Sequence, residues 1–134
     1  MVGANVMTLL RIQLSRKEGW EKPPNTVVVT RPGKFGNEFR LGLHKITQPN
    51  GHERFATRAE CVQAFLADAV VRPDFRDTIR TELRGKNLAC WCKLCEKHVA
   101  AGGKPLGDQC ERCETCHSDV LGVLANDELE ARHG

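Results

Sequence analysis

Six of the seven cysteines in this 134-residue chain fall between residues 88 and 117, and their spacing constrains the fold more than any other feature. Cys92 and Cys95 enclose two residues, Cys110 and Cys113 enclose two more, and residues 96–109 separate the pairs. A Cys-x2-Cys turn aims two sulfurs at one centre, and a second such turn completes a tetrahedral thiolate cage suited to zinc. Cys92, Cys95, Cys110 and Cys113 are therefore the expected ligands of one Zn2+. Cys116 also encloses two residues with Cys113, so these two offer an alternative second turn in which Cys116 is a ligand. His98 is a further donor, although four sulfurs already fill the shell. A closed shell of four sulfurs is structural, because catalytic zinc keeps a position open for water.

The metal reading depends on reduced thiols. No apolar stretch reaches the length of a membrane span, and Met1-Val2-Gly3-Ala4-Asn5 lacks a basic region ahead of an apolar run. A cytoplasmic location without a membrane partner is expected, and there cysteines are metal ligands rather than disulfides. A net charge of +3 permits an anionic partner without requiring one. With no Tyr and 5% aromatic residues, an exposed base-stacking platform is poorly supported.

The rest of the chain reads as alternating strands and helices. Met7 to Leu14 is a strand, and Thr26-Val27-Val28-Val29-Thr30 is a β-branched run suited to a strand buried on both faces. It leads into Arg31-Pro32-Gly33-Lys34-Phe35-Gly36-Asn37, where two glycines permit close backbone approach beside two cations. A loop leaving the carboxyl end of such a strand is a common ligand site, and Arg31, Lys34, Gly36 and Asn37 are the candidates for holding a phosphate. Asn50-Gly51 between Leu41–Thr47 and Glu53–Phe55 signals a hairpin. Thr57-Arg58-Ala59-Glu60 is a capping box opening a helix to about Val71, with Cys61 as a buried core thiol. Pro73 restarts the chain into a helix over Asp74–Leu83, stopped by Gly85. Leu88 to Trp91 is a third strand, Glu96 to Gln109 an aperiodic loop held by metal, and Ser118 the N-cap of a final helix fraying through Asp127 to Glu130.

Cys116-His117 has a second reading. At a helix N-terminus the dipole favours a thiolate, and an adjacent imidazole makes a nucleophile–base pair, so Cys116 and His117 are also candidate catalytic residues.

Several segments resemble a known family. Arg31-Pro32-Gly33-Lys34-Phe35-Gly36-Asn37-Glu38-Phe39, Leu83-Arg84-Gly85-Lys86-Asn87-Leu88-Ala89-Cys90-Trp91-Cys92 and Cys116-His117-Ser118-Asp119-Val120-Leu121 resemble the phage and bacterial domain of unknown function numbered 4326, over about residues 11–126. That family's members read approximately RPxKWGNPF, LRGKxLxCWC and PCHADVL. The resemblance implies a compact α/β domain, frequent in phage genomes, whose motif residues meet at one pocket; it carries no established activity. Here Phe35 stands for the usual Trp and Glu38 for the usual Pro. Between Cys92 and Cys116 lies an insert, so Cys90, Cys92, Cys116 and His117 have family counterparts, whereas Cys95, Cys110 and Cys113 are extra.

The resulting expectation is one α/β domain over residues 1–134, a small and largely parallel sheet with packed helices, and a zinc-binding loop insertion at 92–116. The leading functional reading is a phage-encoded zinc protein of the host cytoplasm that recognises a nucleotide or nucleic-acid phosphate. The alternatives are an enzyme acting on a nucleotide or nucleobase through Cys116 and His117, and a module that binds a host protein.

Overall fold

The computed structural model describes residues 8–126; Met7 and the acidic segment Asp127 to Glu130 lie outside the described residues. Three parallel strands form the centre: β1 (Leu10–Gln13), β2 (Thr26–Val28) and β5 (Asn87–Cys90), joined by the antiparallel two-residue β6 (Lys104–Pro105) in the order β2-β5-β1-β6. Arg11 pairs with Leu88 and Gln13 with Cys90 on one side of β5, while Val27 pairs with Leu88 on the other. Because β5 is flanked by parallel neighbours, Leu88, Ala89 and Cys90 are all buried, and the strand delivers Cys90 to the carboxyl edge of the sheet. The architecture is mixed α/β with a largely parallel sheet, as the sequence implies.

The Asn-Gly hairpin is present as β3 (Lys45–Thr47) and β4 (Glu53–Phe55), a separate two-stranded sheet closed by the Gln48 amide donating to the His52 carbonyl. The capping box opens α1 (Arg58–Val70): Glu60 N–H donates to the Thr57 hydroxyl, and the Thr57 amide donates back to the Glu60 carboxylate at 2.9 Å. Pro73 opens α2 (Pro73–Leu83), and Gly85, at a φ of +76°, takes the left-handed turn that lets the chain leave the helix and enter β5. The last helix, α4 (His117–Asn126), packs on α2 and α1. Phe65, Ile79, Leu83, Leu88, Leu121 and Ala125 meet between helices and sheet, each Leu and Ile side chain there worth about 1.5–3 kcal/mol of burial.

Three expectations need correction. Thr26–Thr30 is not a strand buried on both faces: β2 lies at the sheet edge, Val28 is 41% exposed, and only Val29 beyond it enters the core. Residues 96–109 are not all loop, since they hold α3 (Glu96–Ala100) and β6. One turn of helix is too short to show periodicity, and β6 forms only because its partner β1 is already fixed 93 positions earlier, Lys104 opposite Arg11. Ser118 is not the residue before the last helix: α4 starts at His117, and Ser118 is buried with its hydroxyl 3.3 Å from Cys116 Sγ.

Candidate metal centre

Cys95 stands immediately before α3, and the first turn of that helix carries His98 back beside it, placing Nδ1 3.2 Å from Cys95 Sγ. A turn closed by the Cys113 amide on the Cys110 carbonyl brings in the second pair, with Cys113 Sγ 3.2 Å from the same His98 nitrogen. The Cys95 amide donates to Cys113 Sγ at 3.2 Å, the backbone-to-sulfur contact that a thiolate prefers. The donor atoms of Cys95, His98, Cys110 and Cys113 all lie within 4.8 Å of one another. Zn–S bonds of about 2.3 Å and Zn–N bonds of about 2.0 Å on a tetrahedron separate donors by roughly 3.5–3.8 Å, a spacing within the span of this group. Leu94 covers the cluster from the apolar side. Burial pushes the Cys113 thiol up, whereas the Arg112 amide lowers that of Cys110. The group suits a metal ion.

Cys92, expected in this cage, is not brought into it. His98 takes the fourth position, and Cys92 instead joins Cys90 and Cys116 in a second group whose sulfurs also lie within 4.8 Å of one another. Cys90 and Cys116 are 3.3 Å apart and buried. Cys116 and His117, the candidate nucleophile and base, do face each other, with Nδ1 3.7 Å from the sulfur. Hydrogen bonds from the Cys90 and then the Cys92 thiol favour the Cys116 thiolate. That same shared hydrogen bond pushes Cys90 up to about 11, and Cys92 is raised as well.

Beneath both groups lies a buried ionic cluster that strand alternation did not reveal. Arg11 and Lys104 are each 1% exposed and share the Asp119 carboxylate, at 2.8 and 2.9 Å. Arg11 also donates to the Glu114 carbonyl, and Lys104 to the carbonyls of Pro105 and Asp108. These bonds tie β1, β6, the Cys110–Cys116 segment and α4 to one point. A charged residue within the apolar strand LRIQ was the available signal, and a strand buried on both faces is what turns Arg11 inward.

The candidate phosphate residues separate. Asn37 is buried, its amide donating to the Cys61 carbonyl and its oxygen accepting from the Phe39 amide. Gly36 packs so tightly on Arg31 that an added Cβ would lie 2.7 Å from the Arg31 nitrogen. Lys34 pairs with Glu82 at 2.5 Å on the surface. Arg31 donates to the Asn37 carbonyl and, with Thr30, Cys90, Trp91, Cys92 and His117, lines a cleft of about 190 Å³. The cleft lies beyond the carboxyl ends of β2 and β5. Cys61 is the buried core thiol expected of it, raised by burial. Among the described residues no helix is long and apolar enough to cross a membrane.

Comparison with known proteins gives two findings. Over 69 residues the chain is 32% identical to the hydrogenase maturation factor HypA of Escherichia coli K12, a match covering 52% of this chain and 56% of that protein. HypA of Salmonella typhimurium LT2 is likewise 32% identical over 69 residues, with 55% of its length covered. The chain thus spans little more than half the length of the curated relatives it matches. No solved structure matches it significantly. Residues 12–127 match the family described as Domain of unknown function (DUF4326), and with most of its length inside that match the chain belongs to this family.

Proposed function

We propose that this chain is a zinc-stabilised domain that binds a phosphate-bearing ligand of the nucleotide class in the cleft beyond β2 and β5. The observation that carries the zinc assignment is the convergence of Cys95, His98, Cys110 and Cys113. Three soft sulfurs and an imidazole in a compact group select zinc over the hard cations, and four protein donors leave no position for substrate, which makes the ion structural. It holds the 92–116 excursion in place, and that excursion in turn supplies Lys104 to the buried cluster.

The ligand assignment rests on Arg31 and Trp91. Carboxyl ends of parallel strands are where α/β sheets receive ligands, and the cleft there offers a cation for a phosphate. Trp91, 44% exposed, offers a ring face for a base, currently shared with Arg16 at 4.3 Å. We place this activity in the reducing cytoplasm of a phage host, where seven thiols persist. The test is a tryptophan-fluorescence titration of the zinc-loaded protein with nucleoside mono-, di- and triphosphates at two salt concentrations. Saturable quenching that weakens with salt and is lost in Arg31→Ala supports the reading. A flat titration with every nucleotide refutes it.

The likeness to hydrogenase maturation factors favours a second reading, service to another protein through the metal-bound excursion. Its exposed residues Glu96, Lys97, Val99, Glu111 and Arg112 would form the contact. Substituting those five without touching the ligands would abolish a partner complex if this reading holds, and would leave it intact if it does not.

A further inference from the structure

We propose that Cys90, Cys92, Cys116 and Nδ1 of His117 hold a second zinc ion, independent of the one at Cys95, His98, Cys110 and Cys113. The two sets share no residue, and the three sulfurs of the second already lie within 4.8 Å of one another; His117 stands beside this group, near Cys116, and its ring would have to shift to complete the shell. The case for a metal, rather than a reactive thiol, comes from what surrounds them.

His117 is prepared as a ligand. Its Nε2 lies 2.9 Å from the Val29 carbonyl oxygen. A carbonyl only accepts, so Nε2 carries the proton, and in the neutral ring Nδ1 is left with its lone pair. That lone pair lies 3.7 Å from Cys116 Sγ, close to the roughly 3.5 Å between a sulfur and a nitrogen on one tetrahedral zinc. A backbone carbonyl fixing the far nitrogen is the usual support for a metal-bound histidine. Phe65 packs edge-on against the ring at 5.1 Å and holds its plane.

Charge points the same way. Arg11 and Lys104 are two buried cations sharing the single carboxylate of Asp119. Arg11 Nε is the one buried side-chain nitrogen or oxygen without a hydrogen-bond partner among the described residues. The surplus is one positive charge beneath the sulfurs. Zinc bound by three thiolates and a neutral imidazole carries one net negative charge and offsets it. On the outer side the Arg58 guanidinium comes within 3.9 Å of Cys92 Sγ while pairing with Glu114 at 3.6 Å, so it adds no net charge there. A crevice of about 190 Å³ lined by Arg11, Lys104, Cys113, Cys116 and Asp119 lies between the two centres.

Native mass spectrometry of protein purified without chelator, followed by 113Cd NMR of the metal-exchanged protein, tests the proposal. Two zinc ions per wild-type chain are expected, one in Cys92→Ser, one in Cys95→Ser and none in the double variant. Wild-type protein loaded with 113Cd should give two resonances, a reading that needs no substitution and so survives any folding defect. His117→Ala should lower the count to one; a retained second ion would overturn the place of His117 in the shell. A single zinc lost in Cys95→Ser and kept in Cys92→Ser overturns the second centre and leaves the first. Rapid alkylation of Cys116 by iodoacetamide in metal-loaded protein also overturns it, since a coordinated and buried sulfur should react only after chelation. Absence of zinc from wild type, even after zinc is supplied in excess, overturns both centres.

Discussion

Asp119→Asn is the substitution that most directly tests how the 92–116 excursion is held to the sheet. The carboxylate accepts from Arg11, from Lys104 and, at 2.9 Å, from the Gly107 amide. Asparagine keeps one acceptor oxygen but removes the charge, and its amino group faces a cation. Leaving a buried charge unpaired costs about 3–5 kcal/mol. Asp119 is itself 22% exposed, so solvent reaches part of the site and the lower half of that range applies. For a chain of this length, total stability is on the order of 7–20 kcal/mol, so the loss is a sizeable fraction. It corresponds to a fall in Tm of roughly 10–15 °C. The assay is equilibrium urea unfolding of zinc-saturated protein, wild type against Asp119→Asn and Lys104→Met. The order matters more than the size. Lys104→Met leaves the Arg11–Asp119 pair intact, so it should cost less than Asp119→Asn. A cost below about 1 kcal/mol for Asp119→Asn, or the reverse order, would refute the shared counter-ion.

Other outcomes follow from the same geometry. Gly36→Ala forces a methyl to within 2.8 Å of Arg31 backbone atoms and should cost about 1–3 kcal/mol in urea unfolding. Leu121→Ala, at a fully buried position between α4 and α2, should cost about 2–5 kcal/mol in the same assay. Thr57→Ala removes the α1 cap and should cost about 1 kcal/mol. Hydrogen bonds from Arg54 and from the Thr57 amide lower the Glu60 carboxyl to about 2, below its unfolded value of 4.5. Its contribution is therefore complete above about pH 5 and is lost as pH falls through about 2. The Tm gap between wild type and Glu60→Gln should be constant above pH 5 and narrow below pH 4. Chelation of the zinc-loaded protein should lower Tm and expose the 92–116 excursion to protease; an unchanged cleavage pattern would show that the metal does not hold it.

The elements legible from sequence were those whose signal is local. A capping box, an Asn-Gly turn, a proline opening a helix and a glycine ending one each act within a few residues, and Thr57, Gly51, Pro73 and Gly85 stand where those rules place them. The edge position of β2 was not legible, because the same valine run suits a central strand or an edge and only the sheet order decides. β6 is the extreme case. Two residues carry no pattern, and Lys104 becomes buried only because Arg11 and Asp119 arrive from strands and helices distant in sequence.

At the metal centre the residue types were legible and their partition was not. Spacing alone makes Cys92 and Cys95 a pair, since the two residues between them suit a knuckle turn. The fold separates them because β5 ends at Cys90, and the chain leaving it keeps Cys92 with Cys90 at the sheet edge, opposite Cys116 at the start of α4. Cys95 already belongs to the next element, and its helix turns His98 into the place that spacing gave to Cys92. Spacing does not single out His98, for a chemical reason: four sulfurs satisfy zinc. Six clustered sulfurs, divided by the strand end, make one group of three sulfurs and the His98 imidazole, and a second group of three sulfurs next to His117. The partition into two donor groups is thus a consequence of where β5 stops, which no counting of cysteines could supply.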